Sequence, residues 1–168
     1  MEILNAIKKR QSIRKYLTKP VEKELIEKVV DAGRLAATAR NVQPWQFVVV
    51  TDREKLNKLV EINDYADFLK EAPVCILVFC KADAKYYLED GCAATQNILV
   101  AAAALGLGTC WIAGDKKPYI GKIAELVNVP DDYTLVSSIA LGYSVENHPA
   151  QPTKLSLEEV LHWEGVIG

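Results

Sequence analysis

The spacing of hydrophobic residues along the chain changes between a strand period and a helical period, and it predicts most of the secondary structure. Short runs rich in β-branched and aromatic residues predict four strands, over 45–50, 74–80, 109–113 and 135–143. Apolar residues at helical spacing predict five helices, over 1–9, 20–37, 52–62, 84–105 and 117–127, and a short helix after Ser156.

Two of these segments indicate a buried centre. Residues 74–80 are continuously apolar, as in a strand covered on both faces. Residues 84–105 are rich in alanine and apolar nearly all round, interrupted by Gln96 and Asn97, which is typical of a buried helix. The pattern therefore predicts helices that cover a central sheet.

The length and composition indicate one domain, residues 1–168, because the chain has 168 residues, half of them hydrophobic, and no internal repeat. Residues 144–168 are a tail that contains two prolines and too little hydrophobicity to form a unit of its own. We expect this tail to lie against the body of the protein or to extend onto a partner.

The charge balance argues against several classes of partner. With 20 basic and 22 acidic residues and a net charge of -2, we expect neither nucleic acid nor an anionic membrane as the main partner. The N-terminus lacks the features of a signal peptide, and the longest apolar run is too short to span a membrane. Four cysteines without a C-x-x-C pair disfavour zinc and iron–sulfur sites and suit a reducing compartment, so we expect a cytoplasmic protein.

The first candidate motif is R-x-S-x-R, formed by Arg10, Ser12 and Arg14. In an extended segment these alternate residues share one side and present two guanidinium groups and a hydroxyl to one ligand, such as a phosphate with polar ring edges. The alternative is a solvated loop after a helix C-terminus, where cations are favourable in any case.

The second motif is N-x-Q-P-W, in which Asn41 and Gln43 offer amide groups in a loop between a helix and a buried strand. Pro44 predicts an extended backbone at Gln43. The alternative is a helix C-cap at Asn41 followed by an ordinary connection.

Glycines and a tail lysine complete the candidates. Gly106 and Gly108 suggest a dinucleotide loop, but the predicted order is helix then strand, the reverse of the Rossmann arrangement, so that interpretation fails. Gly114, at a strand end, either lets backbone N–H groups approach a planar ligand or forms a plain turn. Lys154 is an isolated base in the tail, which by itself is typical of a surface lysine.

Taken together and in this order, the motifs resemble the nitroreductase family of flavoproteins over nearly the whole chain. The resemblance implies an α+β fold with a mostly antiparallel central sheet flanked by helices. It also implies an intertwined homodimer with FMN at the subunit interface and the tail wrapped around the partner subunit.

The resemblance also implies roles for individual residues. Arg10 and Ser12 correspond to ligands of the phosphate and ribityl chain, Arg14 to the cation near the pyrimidine edge of the flavin, and Lys154 to a tail residue near the phosphate. A loop that reaches the flavin from the other subunit corresponds to Thr38, Ala39, Arg40, Asn41 and Gln43. A strand end whose backbone amides face N5 and O4 of the flavin corresponds to Ile112, Ala113 and Gly114. Arg40 stands in a loop that departs from the Pro-Ser of many relatives.

The implied activity is hydride transfer from NADH or NADPH through flavin N5 to a nitro compound, quinone or similar small acceptor, in a ping-pong cycle without a catalytic side chain. Two alternatives stay open. One is a flavin-dependent enzyme for one dedicated metabolite, and the other is an FMN-binding electron-transfer partner of another redox protein.

Overall fold

The computed structural model describes residues 2–63, 65–145 and 153–166. The chain forms six helices and four strands within these residues, with two short 3-10 turns at Ala39–Asn41 and Asp67–Lys70. The helices are α1 (Ile3–Lys9), α2 (Lys23–Arg34), α3 (Arg53–Ile62), α4 (Tyr87–Ala104), α5 (Ile120–Leu126) and α6 (Leu157–Val160). The strands are β1 (Trp45–Val50), β2 (Val74–Lys81), β3 (Gly108–Ala113) and β4 (Tyr133–Gly142).

The four strands form one sheet in the order β1-β2-β4-β3, and every neighbouring pair is antiparallel. This confirms the predicted α+β class with an antiparallel sheet. β2 and β4 occupy the centre, where Ile76 lies opposite Ile139. β1 and β3 are the two edges, so one side of each has backbone groups outside the ladder.

Helices cover both faces of the sheet, because the central strands are apolar on both. On one face, Leu77 and Phe79 of β2 pack with residues of α3 and α5, among them Leu56 and Ile123. On the other face, residues of β2 and β4 pack with α2 and α4. The protein therefore has three layers, and the predicted burial of residues 74–80 on both faces is confirmed.

Several predicted helices are shorter than the hydrophobic pattern indicated. α2 ends at Arg34 rather than at residue 37, because Leu35 and Ala36 close a tight turn with their N–H groups on Asp31 and Gly33. α4 begins at Tyr87 rather than at residue 84, and α5 begins at Ile120 rather than at residue 117.

Two segments expose apolar side chains on the surface of the chain. Ile3, Leu4 and Ile7 of α1 are 68%, 59% and 49% exposed. Residues 153–166 of the tail are exposed, including Trp163. At the start of the tail, Ser144 forms an antiparallel bridge with Tyr16, and the N–H of Val145 donates to the Lys15 carbonyl at 3.2 Å. Among the described residues the tail thus contacts the body at 144 and 145, and extension of its remainder onto a partner stays a prediction. Residues 146–152 and 167–168 fall outside the described ones.

None of the helices in the described part of the chain is long and apolar enough to cross a membrane.

Candidate functional site

The R-x-S-x-R segment runs along the free edge of β3. Arg10 ends α1, where its N–H donates to the carbonyl of Ala6 at 2.9 Å and its backbone is extended. Ser12 forms a parallel bridge with Thr109, and the N–H of Ile13 donates to the Thr109 carbonyl at 2.8 Å. Ile13 is buried, whereas the residues on either side of it are exposed. The segment is thus a short extended strand with polar side chains on its open side.

Ser12 and Arg14 both affect the buried thiol of Cys110 on β3. Burial raises the pKa of this thiol, while the positive charge of Arg14 and a hydrogen bond with Ser12 oppose the rise. Ser12 bridges Thr109, and Arg14 lines the same cavity as Cys110, so both residues lie beside β3.

A cavity of about 350 Å³ opens beside this segment. Arg14 and Lys117 supply two cations to its lining, and Tyr65, Phe68 and Tyr119 supply aromatic rings. Cys110, Trp111, Ile112 and Ala113 of β3 form the rest of its lining. Among the described residues that line the cavity there is no carboxylate, so this lining suits a planar ligand with negative charge or an electron-rich edge.

The hydrogen-bond pattern of β3 decides which of its amides face the open edge. The N–H of Gly114 donates to the carbonyl of Val136 on β4 at 2.9 Å, whereas Thr109 bonds outward to Ile13. Since successive residues alternate in direction, Ile112 and Gly114 point to β4, and Trp111 and Ala113 point to the open edge. Of the three predicted residues, only Ala113 presents its N–H on the cavity side.

Gly114 is a glycine because of packing against β4. A Cβ at this position lies 2.7 Å from Cγ of Leu135 and 3.0 Å from its carbonyl oxygen. Gly114 also begins a turn, because the N–H of Lys117 donates to the Gly114 carbonyl at 3.2 Å, so the turn alternative is confirmed. The approach of a ligand to its backbone stays a prediction.

The second motif forms a tight loop, residues 38–43, before β1. Arg40, Asn41 and Gln43 have φ values of 55°, 57° and 52°, in the left-handed region that side chains other than glycine rarely adopt. The extended backbone predicted for Gln43 is therefore wrong, and Asn41 is not a helix C-cap, since α2 ends at Arg34. The side-chain amide of Gln43 donates to Oδ1 of Asn41 at 3.1 Å, so the two predicted amides are neighbours.

Asp90 of α4 holds this loop from inside the protein. Its carboxylate is 5% exposed and accepts hydrogen bonds from the Thr38 hydroxyl at 2.8 Å and from the Ala39 N–H at 3.0 Å. The Thr38 hydroxyl also accepts from the N–H of Gln43 at 3.1 Å. Thr38 and Ala39 are thus engaged within the loop.

A single chain does not bring the two motifs into one site. The 38–43 loop leads into β1, and the Arg14 segment lies on β3, so β2 and β4 separate them. Three strand spacings amount to about 14 Å. Lys154, in the exposed tail, is a third separate element.

The sequence analysis did not identify Cys110 and Lys117, which line the cavity with Arg14, or Asp90, which holds the 38–43 loop. Asp90 carried a signal, because it is an acidic residue in a largely apolar helix that is buried on the sheet. Cys110 and Lys117 carried none, since a cysteine in an apolar strand and a lysine before a helix are ordinary. Only the fold places these two beside Arg14.

The fold is that of an α+β protein with a cavity at an open strand edge, and comparison with known proteins gives its family. The nitroreductase family model matches residues 7–65 and 60–143. A protein of Methanothermobacter thermautotrophicus, provisionally named NADH dehydrogenase/NAD(P)H nitroreductase, is 38% identical over 95% of this chain and 88% of its own. The FMN reductase [NAD(P)H] of Bacillus subtilis is 28% identical over 97% of this chain and 72% of its own.

Solved structures agree with these matches. The solved structure of an FMN-dependent nitroreductase from Clostridium difficile superposes with a TM-score of 0.89 at 32% identity, covering 97% of this chain and 99% of its own. The chain belongs to the nitroreductase family.

Proposed function

We propose that the protein is an FMN-dependent oxidoreductase that uses NADH or NADPH to reduce nitro compounds, quinones or similar small acceptors. The observation that carries the proposal is the cavity beside β3, where Arg14 and Lys117 face a strand edge with outward amides. The names of the relatives, an NAD(P)H nitroreductase and an FMN reductase among them, support the cofactor and the donor.

The residues of the cavity fit an isoalloxazine ring. A flat ring needs donors along its polar edge, and the outward N–H groups of Trp111 and Ala113 lie on the cavity side of β3. When bound, FMN supplies the redox chemistry, taking a hydride from NAD(P)H at N5 and passing two electrons to the acceptor. Donor and acceptor use the same open face in turn, which is a ping-pong cycle.

The side chains of this half of the site have distinct roles in the proposal. Arg10 and Ser12 bind the phosphate and ribityl chain, as the family resemblance implies, and they lie on the same extended segment as Arg14. Arg14 stabilises the negative charge that reduction leaves at the pyrimidine edge of the ring. Lys117 adds a second positive charge to the same cavity.

The rest of the site comes from a second copy of the chain, in an intertwined homodimer. The 38–43 loop and the Arg14 segment lie at opposite edges of the sheet in one chain, so a partner's loop is needed to complete the site. The exposed apolar residues of α1 and of the tail supply a surface for such a partner. In this arrangement the tail carries Lys154 toward the phosphate.

Absorbance and turnover test the proposal directly. We expect the purified protein to be yellow, to show the flavin absorption bands, and to bleach anaerobically with NADH or NADPH and recover with a nitroaromatic or quinone. A colourless protein that takes up no added FMN contradicts the proposal. A flavin that is reduced by neither nicotinamide favours instead an electron-transfer partner of another protein.

The cation assignments are tested by the flavin midpoint potential. Arg14→Ala is expected to lower the potential, because the charge that stabilises the reduced ring is lost. Arg10→Ala is the matched control: it is expected to weaken FMN retention and leave the potential near that of the wild type. Equal potentials in the two variants contradict the assigned roles.

The oligomeric state is tested by deleting the tail. Removal of residues 153–168 is expected to shift the protein from dimer toward monomer in sedimentation and to release FMN, since each site needs both chains. A truncated protein that stays dimeric with its FMN contradicts the role given to the tail.

A further inference from the structure

Asp90 is a buried carboxylate at the first turn of α4. Among the described residues no lysine or arginine forms an ion pair with it; its partners are the Thr38 hydroxyl and the Ala39 N–H, one on each carboxylate oxygen. Burial of a charge is costly unless hydrogen bonds compensate it. The position at the start of a helix and the two bonds from the 38–43 loop provide that compensation.

The loop that Asp90 holds is unfavourable by itself. Arg40, Asn41 and Gln43 all have positive φ, and each such residue costs on the order of 1 kcal/mol or more. All three are also exposed, so burial of their side chains does not offset the cost. A strained conformation of this kind persists only where neighbouring structure holds it.

The hydrogen bonds form a chain from the core to the exposed end of the loop. Asp90 accepts from the Thr38 hydroxyl, which accepts from the N–H of Gln43, and the Gln43 amide donates to Asn41. The positions of the two exposed amides therefore depend on a carboxylate that lies inside the protein. The Thr38 hydroxyl thus gives its single hydrogen to Asp90 and accepts one hydrogen bond from within the loop.

We propose that Asp90 is a positioning residue of the cofactor site: it holds the 38–43 loop in the conformation that presents Asn41 and Gln43 to FMN bound mainly by the second subunit. This inference rests on the proposed function. Asp90 itself touches no ligand, since it lies beneath the loop, and it acts through Thr38 and Ala39.

Asp90→Asn is the direct test, because the amide keeps the size of the side chain but has only one oxygen to accept with. We expect FMN to dissociate from the variant holoenzyme with a Kd raised about tenfold or more, the factor that corresponds to one hydrogen bond to a charged group. Fluorescence of released FMN on dilution measures the Kd. The visible circular dichroism of the bound flavin is expected to change as well, because the loop no longer keeps its conformation next to the flavin ring.

Thr95→Val is the matched control for a merely structural effect. Thr95 lies on the same helix, is fully buried, and its hydroxyl bonds Ser137 and Gly91 rather than the loop. We expect this variant to lose stability. Its Kd for FMN is expected to stay within twofold of the wild type, and its visible circular dichroism to stay unchanged. A second pair covers the case in which Asp90→Asn does not fold: Thr38→Val is expected to raise the Kd, and Thr38→Ser, which keeps the hydroxyl, to preserve it.

The outcomes separate this inference from the proposed function. If the wild-type protein binds no FMN, the proposed function fails first. If the wild type binds FMN and Asp90→Asn binds it equally well with the same visible spectrum, the positioning role alone is overturned. Equal Kd values for Thr38→Val and Thr38→Ser overturn it likewise, and so does a rise in Kd for Thr95→Val that matches the rise for Asp90→Asn.

Discussion

Replacing Gly114 by alanine tests whether packing, rather than a ligand, requires a glycine at the end of β3. The new Cβ lies 2.7 Å from Cγ and 3.0 Å from Cδ2 of Leu135. Carbon atoms in contact are normally about 3.5–4.0 Å apart, so the overlap is about 1 Å. Leu135 is fully buried, and its carbonyl oxygen, also 3.0 Å away, belongs to the backbone of β4, so neither can move aside easily.

The expected loss of stability follows from this overlap. Overpacking of a buried site costs about 1–3 kcal/mol. For a chain of this size, about 2 kcal/mol corresponds to an unfolding midpoint lower by roughly 4–8 °C. Thermal unfolding followed by far-ultraviolet circular dichroism, with FMN in the same excess in each sample, measures the shift.

Gly121→Ala is the matched control, because it makes the same chemical change where a Cβ meets nothing within 4 Å. Gly121 is an exposed residue of α5, so alanine is expected to stabilise by roughly 0.5–1 kcal/mol through helix propensity. The two substitutions are thus predicted to have opposite signs. The reasoning is refuted if Gly114→Ala unfolds at or above the wild-type temperature, or if it keeps its stability and loses only FMN affinity.

Three further predictions concern separate parts of the fold. The Tyr143 hydroxyl donates to Glu22 and lowers the pKa of that carboxyl, so this contribution to stability is present above about pH 4.5 and is lost as pH falls further. Tyr143→Phe is therefore expected to reduce the fall of the unfolding midpoint at acid pH, and an unchanged fall contradicts this. Burial raises the pKa of all four cysteine thiols, so DTNB at pH 8 is expected to react slowly with the native protein, first at the half-buried Cys92. In guanidinium all four thiols are expected to react rapidly. An early reaction of the native protein that persists in Cys92→Ser contradicts this. Asp52 caps α3 by accepting a hydrogen bond from the Lys55 N–H at 2.9 Å. Asp52→Ala is expected to lower the free energy of unfolding, measured in urea, by about 1 kcal/mol, and Asp52→Asn to stay close to the wild type. Equal stabilities of the two variants exclude the capping bond.

Much of the fold was predictable from the hydrophobic pattern because each element buries its own apolar period. β2 is apolar at every position up to Cys80, and the structure indeed covers it on both faces. Element ends were less predictable. α2 carries its helical pattern to Ala37, but the chain leaves the helix at Leu35, because Thr38 and Ala39 bond to Asp90, far along the sequence.

The candidate site likewise has parts that the sequence predicted and parts that it did not. The alternate spacing of Ser12 and Arg14 placed both on one side of an extended segment, a local property that the bridge to Thr109 shows. The conformation of Gln43 was not predictable from Pro44, since the steric preference before proline is modest and the bond to Thr38 opposes it. Which amides of β3 face outward depends on its pairing with β4, and no single segment encodes that pairing.

The sequence by itself determined the element types, the antiparallel α+β class through its family resemblance, and the two polar motifs, because these depend on local spacing and residue chemistry. Only the tertiary structure decided that Asp90 lies under the 38–43 loop, that Lys117 and Cys110 join Arg14, and that Gly114 serves packing. It also decided that the two motifs stand at opposite edges of one sheet. The physical reason is that these relations join residues distant in the chain, and their energies arise only when burial and strand pairing bring those residues together.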